Sequence, residues 1–129
     1  ATLTGGKIVA LGNRTSALFV TDDLLCQLLL AAGQKTGEPL WRMPLDPAYD
    51  AQLKSDIADV KNTGGRLASA ITAARFLSNF TGDWPWAHID IAGGELYGGG
   101  SDDTKRSYLT KGGTGLMLRT LVEYLRNLA

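Results

Sequence analysis

The sequence has little of what builds a self-contained metal or disulfide site. It carries one cysteine and one histidine, which excludes an internal disulfide framework and any multi-cysteine zinc site. So little cysteine makes a reducing, cytoplasmic setting the default expectation. Net charge is absent, with thirteen basic residues against thirteen acidic ones. That leaves no electrostatic footprint for nucleic acid and no polybasic patch for a membrane surface, so neither is expected as a partner. No apolar run approaches the roughly 18 residues of a membrane-spanning helix, and the opening residues do not read as a charged-then-apolar leader. There is no initiator methionine. Ala1-Thr2-Leu3-Thr4 opens as though inside a structured segment, and the chain reads as a piece of something longer. Repeats and long linkers are also missing, as are a Gly-x-Ser-x-Gly elbow and a Walker pattern, since Lys111 precedes its glycines.

What is present suits one domain. The 129 residues are 44% apolar and 20% charged, and a chain of this length buries about two-thirds of its unfolded surface. Residues 7–11 and 16–20 are short apolar runs bounded by turn residues, and both read as buried strands. Thr21 reads as an N-cap with Asp22 and Asp23 in the first turn. The leucines that follow have helical spacing up to a left-handed stop at Gly37. Residues 38–45 read as an extended connection. Asp46-Pro47 starts a helix to about Lys54, Asp capping and Pro at the first helical position, and 62–65 is a loop. A helix over 67–80 is thinned by alanines, so another element can approach it closely. Residues 86–91 read as a buried strand and 92–107 as a Gly-rich surface loop. A last helix starts at Gly113 or Thr114, with Leu118, Leu121, Val122, Leu125 and Leu128 as its apolar stripe opposite Arg119, Glu123 and Arg126. The order predicts an α/β layer protein: a mixed or parallel sheet flanked by helices, three layers in all, with too few strands for its helices. A further segment or chain is expected to complete the sheet.

Few residues stand out chemically. His88 shares a strand face with Asp90, but a metal site needs three or four ligands, so a structural role is expected. Cys26 has no basic neighbour in sequence to activate it and reads as inert. Asp22-Asp23, Asp56, Asp59 and Asp102-Asp103 are scattered. Gly112-Gly113-Thr114-Gly115 before a helix could present N–H groups to an anion, although turns and caps explain it as well. Trp41, Trp84 and Trp86 read as core or subunit packing rather than a binding surface.

Motifs then accumulate in order along the chain: Ala1-Thr2-Leu3-Thr4-Gly5, Ala10-Leu11-Gly12, and Gly37-Glu38-Pro39-Leu40-Trp41-Arg42-Met43-Pro44-Leu45. After them come residues 53–62 (LKSDIADVKN), Gly64-Gly65-Arg66, Ala70-Ile71-Thr72-Ala73-Ala74, Trp86-Ala87-His88-Ile89-Asp90-Ile91-Ala92-Gly93 and Lys111-Gly112-Gly113-Thr114-Gly115. This resembles the cytosolic leucyl aminopeptidases, a metallopeptidase family. Essentially all of residues 1–129 match the C-terminal portion of that family's catalytic domain.

The resemblance implies a cytoplasmic homo-hexamer using two divalent ions, manganese or zinc, to release N-terminal residues, Leu above all, from peptide substrates. It also implies that the metal ligands and catalytic side chains lie on an upstream N-terminal part of the same enzyme. This chain would then hold neither metal nor catalytic group, and it would be inactive alone. The substrate side carries over. By the match, Thr2 offers its carbonyl, Leu3 and Gly5 offer N–H groups, and Ala92 lines the pocket for the N-terminal side chain. After Ile91-Ala92-Gly93 the family continues Thr-Ala, whereas this chain has Gly94-Glu95-Leu96-Tyr97. The alternative is a truncated homologue that keeps the fold as a non-catalytic scaffold for oligomerisation or partner binding.

Overall fold

The computed structural model describes residues 4–97 and 108–128. At its centre is β1 (Ser16–Val20), buried at all five positions. Its alternation sorts the core into two faces. Ala17 and Phe19 pack with Ala70 and Ala74, while Leu18 and Val20 pack with Cys26 and Leu29. Ala17 to Val20 are apolar on both faces because helices cover both. On the second face lies α2 (Asp23–Thr36), and on the first lies α3 (Ser69–Ser78). β2 (Leu40–Arg42) pairs with β1 in parallel, Ala17 opposite Trp41. β3 (Ala87–Asp90) pairs antiparallel on the other side, Ala17 opposite Asp90 and Val20 opposite Ala87. The sheet is therefore mixed, in the order β2-β1-β3. The expected α/β layering with helices on both faces is what the structure has.

Local chemistry explains most of the boundaries. The Asp22 side chain, not Thr21, caps α2, accepting a 2.7 Å bond from the Leu25 N–H. Thr21 is drawn off instead to extend the β1–β3 ladder, exchanging bonds with the Trp86 backbone. Gly37 ends α2 at φ 70°, as expected. Asp46 accepts from the Ala48 N–H at 2.8 Å and Pro47 opens the next element, but the result is a 3-10 helix over Pro47–Leu53. The alanines of α3 do let it close on the sheet, with Ala70, Ala73 and Ala74 buried. Leu67, expected on its apolar side, lies outside the helix and exposed, because Ala68 turns left-handed before the helix begins.

Two expectations fail more fully. Residues 7–11 are not a strand. They form most of α1 (Gly6–Leu11), and its orientation inverts the apolar reading: Val9 is 90% exposed, whereas Lys7 is 1% exposed. Four apolar residues after a lysine are too few to separate a period of 2 from one of 3.6. The last helix, α4, spans Leu118–Arg126 and follows a left-handed Met117, not Gly113 or Thr114. Gly112–Gly113 is instead β5, a two-residue strand paired with β4 (Leu96–Tyr97), where the sequence reads as loop. Residues 98–107 of that expected loop lie outside the described residues.

Candidate functional site

Of the four substrate-side positions, Thr2 and Leu3 lie outside the described residues. Gly5 enters α1 at φ 68°, and its carbonyl accepts from the N–H groups of Ile8 at 3.1 Å and Val9 at 3.3 Å. Among the described residues, a β-carbon built there would meet nothing within 4 Å. Ala92 follows β3 in a turn. Its N–H donates to Asp90 Oδ1 at 3.0 Å, and Gly94 N–H closes back on Ile91 O at 3.0 Å. Gly93 then takes φ 85°, close against Ile8 of α1.

The group that joins these two places is one that sequence reasoning passed over. Lys7 Nζ donates to Gly12 O at 2.8 Å and to Ala92 O at 2.9 Å. Burial pushes this ammonium below the usual lysine range, while Asp90 and Glu95 act the other way. Only its place inside an apolar run hinted at it, because a lysine there must be exposed or paired. The glycine-rich segment braces the same turn from the far side. Thr114 Oγ1 donates to Gly94 O at 2.7 Å, and Thr114 N–H donates to Glu95 O at 3.0 Å. Since α4 starts only at Leu118, Gly112–Gly113 does not form a helix-start anion cradle.

Among the described residues His88 joins no metal cluster. It stacks on Phe19, ring centroids 5.8 Å apart, and burial holds its imidazole below the ordinary value of about 6.5 while Asp90 opposes the shift. Cys26 is buried in the core between α2 and the sheet. Asp22 caps α2, and Asp23 pairs with Arg42 at 2.7 Å. Asp56 and Asp59 sit in an exposed irregular stretch rather than on a helix face. Asp102 and Asp103 lie outside the described residues. Among the described residues no three His, Cys, Asp or Glu side chains come together to hold a metal ion. Trp41 and Trp84 are exposed and contribute nothing to the core.

Glu38 is the second residue missed. It is 2% exposed and accepts from Arg119 Nε and Nη2 at 3.2 Å, Thr120 N–H at 3.1 Å and Thr120 Oγ1 at 2.7 Å. It thereby fastens the start of α4 beside β2. A cavity of about 360 Å³ opens near Val20, Thr21, Arg42, Met43, Leu45 and Arg75. Both guanidiniums are already engaged, Arg42 by Asp23 and Arg75 by Asp50 through two 2.6 Å bonds. The register puts this cavity at the opposite end of β1 from Ala92.

Comparison with known proteins decides the family. The family model described as "Cytosol aminopeptidase family, catalytic domain" matches residues 1–122. This chain belongs to that family. It is 48% identical over 128 residues to the "Probable cytosol aminopeptidase" of Desulfotalea psychrophila, covering 99% of this chain and 24% of that protein. To that of Bordetella avium it is 51% identical over 129 residues, covering 100% of this chain and 24% of the relative. Among solved structures, the bottromycin maturation enzyme BotP in complex with Mn aligns with a TM-score of 0.87 at 43% identity, over 99% of this chain and 28% of that one. A mutant tomato leucine aminopeptidase aligns with a TM-score of 0.83 at 37% identity, over 97% of this chain and 23% of that one. The aminopeptidase-family chain thus spans about a quarter of the length of the curated relatives it matches. Among the described residues no helix is long and apolar enough to cross a membrane.

Proposed function

We propose that this chain is the substrate-wall portion of a metal-dependent aminopeptidase that releases N-terminal residues from peptides, with a preference for Leu-sized side chains. The observation that carries the reading is the family match over residues 1–122. A peptide is recognised well through main-chain donors and acceptors, and the resemblance supplies such groups at residues 2, 3 and 5. On this reading the Thr2 carbonyl and the Leu3 and Gly5 N–H groups receive the substrate backbone. The small Ala92 leaves room for the N-terminal side chain.

The two divalent ions that the resemblance implies, manganese or zinc, do not fit the described residues, which bring no three ligating side chains together. Their ligands belong to the polypeptide beyond this chain, as does the catalytic machinery. The outward leucines of α4 support the existence of such a neighbour. Leu118, Leu121, Val122, Leu125 and Leu128 are 42–63% exposed, a stripe that a finished protein covers. We assign that cover to the rest of the same catalytic domain, with the complete enzyme assembling as a homo-hexamer in the cytoplasm.

The test is to express this chain within its full reading frame and follow 4-nitroaniline release from leucine-4-nitroanilide with Mn²⁺. Turnover abolished by a chelator is expected, and the 129 residues alone should release nothing above buffer. A full-length protein inert toward every aminoacyl nitroanilide, with Mn²⁺ or Zn²⁺, would overturn the reading.

A further inference from the structure

We propose that Lys7 is a positioning residue: its buried ammonium clamps the Ala92 carbonyl to α1 and so sets the width of the pocket between Gly5 and Ala92. The inference rests on the pocket reading above and deepens it.

Three observations carry it. Lys7 is among the largest fully buried side chains, at 1% exposure, yet it stands only two residues after Gly5. Its Nζ bridges two backbone carbonyls, Gly12 O at 2.8 Å and Ala92 O at 2.9 Å, the second 85 residues away in sequence. The turn it holds is tightly hemmed. A β-carbon on Gly93 would sit 3.1 Å from Ile8 of α1, and one on Gly94 would sit 2.6 Å from Leu116. A turn packed this closely moves as a unit, so the length of the lysine clamp is transmitted to Ala92.

Burying an ammonium is costly unless hydrogen bonds compensate it, and a hydrocarbon side chain would fill the same space without that cost. What the ammonium adds is a fixed distance to two acceptors. Ala92 is held twice, by its N–H to Asp90 and by its carbonyl to Lys7. Losing one hold leaves the turn formed but free to shift against α1. A substrate whose side chain reaches Ala92 then binds less well, while one without a side chain is little affected.

The experiment uses the full-length enzyme and compares leucyl with glycyl 4-nitroanilides. Lys7→Met keeps the aliphatic stem and removes the N–H donors. KM for the leucyl substrate is expected to rise roughly tenfold, with kcat and the glycyl KM changed by less than about twofold, the pattern of lost ground-state binding. Lys7→Gln, with a neutral donor at shorter reach, should give an intermediate rise and serves if the Met variant does not fold. An unchanged leucyl-to-glycyl KM ratio overturns the inference, because Lys7 then only stabilises the fold. Failure of both variants to fold overturns it too, since the lysine is then a folding determinant. Ala92→Phe reports on the pocket reading itself. If that variant shifts the ratio and the Lys7 variants do not, only the clamp is wrong. If Ala92→Phe leaves the ratio alone, or the unaltered enzyme is inert, the pocket reading fails and takes the clamp with it.

Discussion

α3 and α4 are short helices of similar length, ten and nine residues, that meet the rest of the protein in opposite ways. α3 turns its small residues inward: Ala70, Ala73 and Ala74 are buried, and Ala74 packs on Phe19 of β1. α4 turns Thr120 and Glu123 inward, with Arg119 reaching back from the surface. Arg119 and Thr120 bind Glu38, Thr120 meets Thr36 at 2.9 Å, and Glu123 pairs with Lys35. Its leucines face out. An amphipathic stripe says that two faces differ, but not which of them this particular chain covers. The difference leaves α3 inside a core built from the described residues, whereas the leucines of α4 have no cover among them.

The sharpest way to break the comparison is at the completed core. Phe19→Ala removes the aromatic that α3 and His88 share, and should cost about 3–5 kcal/mol in urea unfolding. A loss under about 1 kcal/mol would mean that this layer is not a packed core. Next is the polar anchor of α4. Glu38→Ala strands buried donors of Thr120 and leaves Arg119 with Tyr108 as its remaining partner, which should cost about 2–3 kcal/mol. Amide exchange across residues 118–126 should then accelerate while α3 stays protected. Equal acceleration in both helices would contradict separate attachment.

Leu125→Gln sharpens the contrast. Within the 129 residues it should change stability by no more than about 0.5 kcal/mol, as for an exposed site. In the full-length protein the same substitution should cost about 2 kcal/mol, as for a buried leucine. Equal effects in both would show that nothing covers the stripe.

The smallest expected effect concerns pH. Burial lowers the imidazole pKa of His88 in the folded state. The unfolded chain therefore binds more protons below about pH 6.5, and stability falls as pH drops through that value toward the folded pKa. His88→Phe, which can keep the stack on Phe19, should flatten that slope in pH-dependent melting curves. An identical slope would remove His88 as its source.

How much of this was legible depended on whether neighbours in sequence were also neighbours in space. β1, the Gly37 stop, the Asp46-Pro47 start and the thin face of α3 each rest on residues within a few positions, and each was readable. So was the family, because its motifs run in order along residues 1–122. α1 was misread because a lysine in an apolar run looks like a strand start until the Ala92 carbonyl supplies its partner. Glu38 was missed for the same reason, its partners lying 81 and 82 residues away.

The sequence alone thus determined the layered α/β class, the Gly37 stop, the Asp46-Pro47 start and membership of the aminopeptidase family, all of which follow from local chemistry or residue order. Tertiary structure alone decided which charged groups are buried and which face of α4 points outward. A buried charge is tolerated only when distant acceptors or donors meet it, and a helix face is inner or outer only relative to what packs on it.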